Sequence, residues 1–138
     1  MISVTRKLEF DAGHRLLKHE GKCRHIHGHR YVAEVSCVAP DLDAVGRVID
    51  FSKIKEIVGG WLDEHWDHGF LAQEGDPIVA WLKANQMKHW ELTGAPTAEN
   101  LSHVLFWAAS NLLGTHGIEV VRVRLYETPN CYADCVNG

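Results

Sequence analysis

Long apolar runs are missing from this 138-residue chain, and none approaches the roughly 18 residues that a membrane-spanning helix needs. The opening residues, Met1-Ile2-Ser3-Val4-Thr5-Arg6-Lys7, carry no apolar block behind their charges, so no secretory leader is expected. Cysteine is sparse. Four residues in a reducing, cytoplasmic setting read as thiols rather than as a disulfide framework. An excess of positive charge is lacking too: 14 Lys and Arg against 18 Asp and Glu leave a formal charge of −4, which argues against a nucleic-acid binder held by phosphates. There is no internal repeat and no low-complexity segment. What is there, 46% hydrophobic and 23% charged residues, is a globular balance. The length points to a single domain over 1–138, with burial of roughly 68% of the unfolded surface and one core without staples.

Ile2, Val4, Leu8 and Phe10 alternate with Ser3, Thr5, Lys7 and Glu9, which predicts a half-buried strand. A polar loop from Asp11 to about Gly28 follows, then a second strand over 30–39 that Pro40-Asp41 ends. From Ser52, read as an N-cap, Ile54, Ile57, Val58, Trp61, Leu62 and His65 fall at helical spacing, although Gly59-Gly60 weakens that helix. A second helix begins after Pro96-Thr97, with Thr97 as N-cap. It carries Leu101, Val104, Leu105, Ala108 and Leu112 on one face and closes at Gly114. Strands are expected over 119–127, with Val121, Val123 and Leu125 on the apolar side, and over 131–136. Between the two helices, 72–95 is ambiguous: a short helix from Asp76-Pro77 through Asn85, then a strand from Met87 to Leu92. The order ββααββ predicts an α+β fold with a four-stranded, mainly antiparallel sheet and helices on one face.

Ten histidines stand out, five of them (His14, His19, His25, His27, His29) within 16 residues. In an extended segment His27 and His29 point to one face, so both imidazoles can converge on one ion. An isolated His-x-His is a weak signal. Three imidazoles with an open fourth position make a catalytic zinc site, and His14, at the end of the first strand, is the best third ligand. His19 and His25 have no spacing argument in their favour.

Cys23, four residues before His27, is either a plain loop cysteine or a thiol activated by a metal and basic neighbours. Asp67-His68 is a candidate proton relay in which the carboxylate sets the imidazole's tautomer. Glu127 follows Val121, Val123 and Leu125 in phase, so a carboxylate ends an apolar strand face. It either turns to solvent or meets a ligand with two parallel N–H donors. Between Asp11 and Tyr31, five basic residues (Arg15, Lys18, Lys22, Arg24, Arg30) face two acidic ones, a local excess of three positive charges suited to an anionic small molecule.

Taken in order, Phe10-Asp11-Ala12-Gly13-His14, Cys23 with His27-Gly28-His29, Ile49-Asp50-Phe51, Asp67-His68 with Leu71, Pro96-Thr97-Ala98-Glu99-Asn100 and Glu127-Thr128 resemble the 6-pyruvoyl-tetrahydropterin synthase / 6-carboxy-tetrahydropterin synthase family. Each motif is weak singly; six in order are specific. The resemblance implies the tunnelling fold, in which subunits join their sheets into an oligomeric barrel, usually a homohexamer of two trimers with active sites at the interfaces. It implies zinc on His14, His27 and His29, Cys23 as base, and Asp67 and His68 working with that cysteine from a neighbouring subunit. Glu127 would anchor the pterin edge. The implied substrate is 7,8-dihydroneopterin triphosphate. It would be converted to 6-carboxytetrahydropterin, acetaldehyde and triphosphate on the route to queuosine, or alternatively to the 6-pyruvoyl product. Cys23 argues against the branch with glutamate in its place. The stretch 72–95 is longer than in the shortest members, and Trp66 stands where an aliphatic residue is more usual. A rival from another class is a non-catalytic zinc module, closed by Cys23, His27 and Cys131 with Cys135.

Overall fold

The computed structural model describes residues 1–137. Its strands are β1 (Val4–His14), β2 (His27–Val38), β3 (Gly69–Gln73), β4 (His89–Leu92), β5 (Glu119–Thr128) and β6 (Cys131–Val136). The helices are α1 (Phe51–Ile54) and α2 (Gly60–His65), joined by a π-helical stretch (Lys55–Gly59), then α3 (Ile78–Ala84) and α4 (Ala98–Gly114).

All six strands form one sheet, in the order β4-β3-β1-β2-β5-β6. The expected antiparallel four, β1, β2, β5 and β6, are there, but β3 and β4 extend the sheet by two strands that pair in parallel, β3 against β1 and β4 against β3. The sheet is therefore mixed. β3 escapes the alternation test because both its faces are covered, as is usual for parallel strands. Leu71 enters the main core, while Phe70 and Ala72 pack with Val79 and Leu82 of α3 on the opposite face. Helices thus cover both faces at that end of the sheet, not one.

β1 and β2 are longer than their apolar alternation suggests, and both gain at the histidine end. Leu8, Phe10, Ala12 and His14 are all buried on one face of β1. Polar residue types at core-facing positions conceal that periodicity in the sequence. On β5 a register shift opposite Ser36/Cys37 places Val120, not Val121, in the core ahead of Val123 and Leu125.

Residues 51–65 form a continuous helical run. Its N-cap is Asp50, whose Oδ1 accepts from Ser52 N (2.9 Å) and Ser52 Oγ (2.8 Å); Ser52 itself lies inside the first turn. Ile54, Val58 and Leu62 are buried at intervals of four, wider than the 3.6-residue α-turn, and the π stretch widens the helix between them. α4 is capped by Thr97, whose Oγ1 accepts from Asn100 N, and it buries Leu101, Leu105, Ala109 and Leu113. Leu113 rather than Leu112 completes that face. Trp66 is fully buried, with its ring 5.8 Å from Phe10 and 5.1 Å from Trp61, so the indole fills a space that a smaller side group would leave empty.

Gly60 sits at αR angles inside the helical run, and a Cβ added there meets nothing within 4 Å. Gly60→Ala is therefore expected to stabilise the protein by about 0.5–1 kcal/mol through lost unfolded-state entropy. A urea titration checks this, and an unchanged or lower midpoint would contradict it.

Candidate functional site

Register assembles the site. His14 pairs directly with His27, and Ala12 with His29, so the three imidazoles emerge on the helix-facing side of neighbouring strands. Glu127 reaches the same place from β5, in line with Val123 and Leu125. Gly28 separates the two histidines of β2 for a steric reason: a Cβ there would come within 3.2 Å of the Ala12 carbonyl oxygen.

Two backbone carbonyls decide which nitrogens are free. His14 Nδ1 donates to Pro96 O at 2.8 Å, just ahead of α4, with the Tyr31 hydroxyl 3.3 Å from the same nitrogen. His27 Nδ1 donates to His25 O at 2.7 Å. A carbonyl can only accept, so both Nδ1 atoms carry the proton and both Nε2 atoms present lone pairs. These two Nε2 atoms face each other at 3.1 Å, a repulsive arrangement unless a cation or a proton lies between them. His29 Nε2 is buried without a hydrogen-bond partner, although Glu127 Oε1 is only 3.0 Å away. That approach is too far off axis for a hydrogen bond, so the two atoms share a neighbourhood without pointing at each other.

One ring nitrogen from each of His14, His27 and His29 and a Glu127 carboxylate oxygen all lie within 4.8 Å of one another. The imidazole planes stand steeply inclined, at 64°, 82° and 90°. Burial lowers the pKa of His14, outweighing the Pro96 hydrogen bond and the Glu127 charge, which raise it. Burial likewise lowers His29 against the pull of Glu127. Tyr31 stays protonated because burial, aided by Glu127, raises its pKa. Three imidazoles, an orphaned buried nitrogen and one carboxylate fit a divalent metal ion.

Asp67 and His68 form a second group. His68 Nδ1 lies 2.8 Å from Asp67 Oδ2, and Asp67 Oδ1 accepts from Asp11 N at 2.9 Å. His68 N donates to Asp11 O at 2.6 Å, which holds His68 at a positive φ of 60° with its imidazole 76% exposed. Burial opposes ionisation of Asp67, but hydrogen bonds from Asp11 N and His68 prevail and keep its carboxyl below the ordinary range. The Asp11 carboxylate completes this cluster. Asp11 and His14 are three residues apart on β1, so their side groups leave opposite faces of the sheet. A single subunit therefore does not bring Asp67 and His68 into its own histidine cluster.

Cys23 lies half-buried in a 3₁₀ turn (Lys22–Arg24) within the loop that joins β1 to β2, its carbonyl accepting from Leu16 N at 2.9 Å. Its thiol is not among the four converging donors. The basic patch is smaller than its residue count suggests. Arg15 makes a two-pronged pair with the buried Asp76, and Arg30 pairs with Glu9 and Asp11. Lys18, Lys22 and Arg24 have no ion-pair partner among the described residues. The segment 72–95 acquires a role through Asp76, which ties the residue after His14 to the start of α3. Cys131 and Cys135 stand four residues apart on one extended strand, about 13 Å, too far to share an ion. A cleft of about 530 Å³ beside Gly59 and Gly60 contains none of the converging donors. The carbonyls of Pro96 and His25 are functional groups that no side-group motif reveals.

A mixed-sheet α+β protein that directs three imidazoles and a carboxylate from adjacent strands to one point has the makeup of a metal-site protein. Its relatives narrow that class. The family described as 6-pyruvoyl tetrahydropterin synthase matches residues 3–137, and the chain belongs to that family. It is 39% identical over 137 residues to the 6-carboxy-5,6,7,8-tetrahydropterin synthase of Rickettsia bellii, covering 97% of this chain and 99% of that one. It is 29% identical over 142 residues to the same-named protein of Haemophilus influenzae, covering 97% and 98%. Among solved structures, an uncharacterised protein of Wolinella succinogenes superposes with a TM-score of 0.85 at 21% identity, covering 99% of this chain and 98% of that one. The 6-pyruvoyl tetrahydropterin synthase of Caenorhabditis elegans superposes with 0.72 at 24% identity, covering 99% and 96%. These two likenesses carry the tunnelling fold.

The lowered pKa values of His14 and His29 set a sign for acid sensitivity without metal. Above about pH 6.5 neither folded nor unfolded imidazoles are charged; below it the unfolded state takes up protons that the folded state accepts only at lower pH. Stability of the metal-free protein is expected to fall between about pH 7 and about pH 5, before the carboxylates titrate. Urea midpoints across that range test it, and a flat or rising profile would contradict it.

Proposed function

We propose that this protein is a zinc-dependent 6-carboxy-5,6,7,8-tetrahydropterin synthase acting in the cytoplasm, on the route to the 7-deazaguanine nucleoside queuosine. The observation that carries this reading is the convergence of three histidine ring nitrogens, with His29 Nε2 left without a hydrogen bond. Relatives of that name, matched over nearly their whole length, support the substrate, 7,8-dihydroneopterin triphosphate.

His14, His27 and His29 hold the zinc. Once bound, the metal supplies a Lewis acid that acidifies a C–H bond in the substrate's tail and stabilises the charge that develops. Cys23, on the loop beyond His14 and His27, takes the proton. His68, with Asp67 fixing its Nδ1, carries protons at Nε2. Glu127 accepts the paired N–H donors of the pterin edge. Triphosphate leaves, cleavage of the tail with uptake of one water forms the carboxylate and releases acetaldehyde, and Lys18, Lys22 and Arg24 are the cations free to attract the polyanion.

Asp67 and His68 act on the site of a neighbouring subunit in a homohexamer of two trimers. The opposite orientation of Asp11 and His14 on β1 supports this, because it sets the relay apart from the histidine cluster of its own subunit. The alternative product, 6-pyruvoyl-tetrahydropterin, is the activity for which the family is named.

Incubation with dihydroneopterin triphosphate is expected to release acetaldehyde; a pyruvoyl product without it selects the alternative, and no turnover overturns both. Cys23→Ala is expected to stay folded and zinc-loaded while losing about 10²–10⁴-fold in kcat, the usual scale for a proton-transfer group. Metal analysis alongside kinetics checks this, and loss of zinc would make Cys23 a ligand instead.

A further inference from the structure

The peptide unit that joins Asp67 to His68 is held at both ends by groups from outside its own turn. On one side His68 N donates to Asp11 O of β1 at 2.6 Å. On the other, the Asp67 carbonyl accepts from Lys88 Nζ at 2.5 Å. The same ammonium donates at 2.7 Å to Asp63 O, one of the last carbonyls of α2, where the helix dipole favours a cation. Among the described residues Lys88 has no carboxylate within ion-pair reach. Its charge is spent on two backbone carbonyls instead.

The segment 72–95 delivers this lysine. α3 ends in a cap in which Gln86 takes a left-handed φ of 54°, Met87 N donates to Leu82 O at 2.8 Å, and Gln86 N donates to Lys83 O at 3.2 Å. The chain then turns into β4, where Lys88 O accepts from Phe70 N at 3.0 Å and His89 pairs with Phe70. The lysine stem crosses Gly69 closely: a Cβ there would lie 3.3 Å from Lys88 Cγ and 3.2 Å from Trp66 O. Strand pairing fixes where the lysine starts, and Gly69 leaves its stem a path to the turn.

That turn needs holding. His68 has a φ of 60°, in the left-handed region that side groups with a Cβ disfavour. Reversal of the Asp67–His68 peptide would relieve it. Such a flip must break both anchors together, because the C=O and N–H of a trans peptide point opposite ways. The imidazole is 76% exposed, so its direction comes from the backbone and from the Asp67 carboxylate at Nδ1 rather than from packing.

We infer, taking the relay role proposed above for Asp67 and His68 as its basis, that Lys88 is the positioning residue of that relay: it locks the Asp67–His68 peptide and so aims the exposed imidazole. Lys88 touches no reacting atom. It acts through His68 alone, and the segment 72–95 thereby serves the chemistry from outside the site.

Lys88→Met keeps the stem and removes the charge, whereas Lys88→Arg keeps donors for both carbonyls. With dihydroneopterin triphosphate as substrate, Lys88→Met is expected to lose about tenfold in kcat with KM unchanged, the low end for hydrogen bonds from a charged group, and Lys88→Arg to restore most of it. Amide hydrogen exchange over 66–70, read by mass spectrometry, is expected to quicken by a similar factor in Lys88→Met while the core strands keep their protection. In a His68→Ala background Lys88→Met is expected to cost nothing further, since nothing is left to position. Wild-type kcat in Lys88→Met overturns the proposal. So does a loss that multiplies with that of His68→Ala, or exchange that rises throughout the chain, either of which makes Lys88 a structural lysine. If His68→Ala alone keeps wild-type kcat, the relay reading fails and the positioning role falls with it.

Discussion

The pairing of β1 with β2 is the constraint on which the site depends. Their antiparallel register runs unbroken from Val4↔Cys37 to His14↔His27, and the same alternation that buries Leu8, Phe10, Ala12, Tyr31 and Ala33 orients the three histidines. A slip of one residue would turn the face of one strand toward solvent and take its imidazoles with it. Core burial therefore enforces ligand geometry. Stability and site formation share one register.

Electrostatics completes what register begins. Histidine is a ligand only when neutral and only through its unprotonated nitrogen. Burial meets the first condition at His14 and His29, and the carbonyls of Pro96 and His25 meet the second at His14 and His27. The Pro96 carbonyl is itself held. Asn100 N donates to Thr97 Oγ1, and Asn100 Nδ2 donates to Ala95 O at 2.9 Å, so the start of α4 is braced on both sides of Pro96. A helix cap, ordinarily a matter of about 1 kcal/mol, here also positions a metal ligand's hydrogen-bond acceptor.

The sheet's other face is built differently. Arg122 pairs with Glu34, Arg124 with Asp134, Lys7 with Glu34, and Arg30 with Glu9 and Asp11, forming ion pairs that run across four strands. The exposed ones among them contribute little stability each. They keep a wide, flat face polar and leave Asp67 and His68 anchored to β1 through the Asp11 backbone. Each subunit thus bears two separate chemical groups on two faces, a metal cluster and a proton relay.

Alternation in β1 and β5, the His-x-His spacing, the phase of Glu127 and the Thr97 cap are all properties of neighbouring residues, and the amino-acid sequence determined them by itself. So did the short helix and strand within 72–95, whose turn residues and apolar runs are local. What tertiary structure alone decided is whatever depends on a partner far along the sequence. β3 hides from periodicity because α3 and the main core bury both its faces. The bulge that substitutes Val120 for Val121 exists only against Ser36 and Cys37. Arg15 loses its freedom to a carboxylate 61 residues away, and His14 gains its tautomer from a carbonyl 82 residues away. Periodicity records which face a residue takes; only the folded register settles which distant groups it meets there, because backbone carbonyls and long-range pairs leave no local pattern.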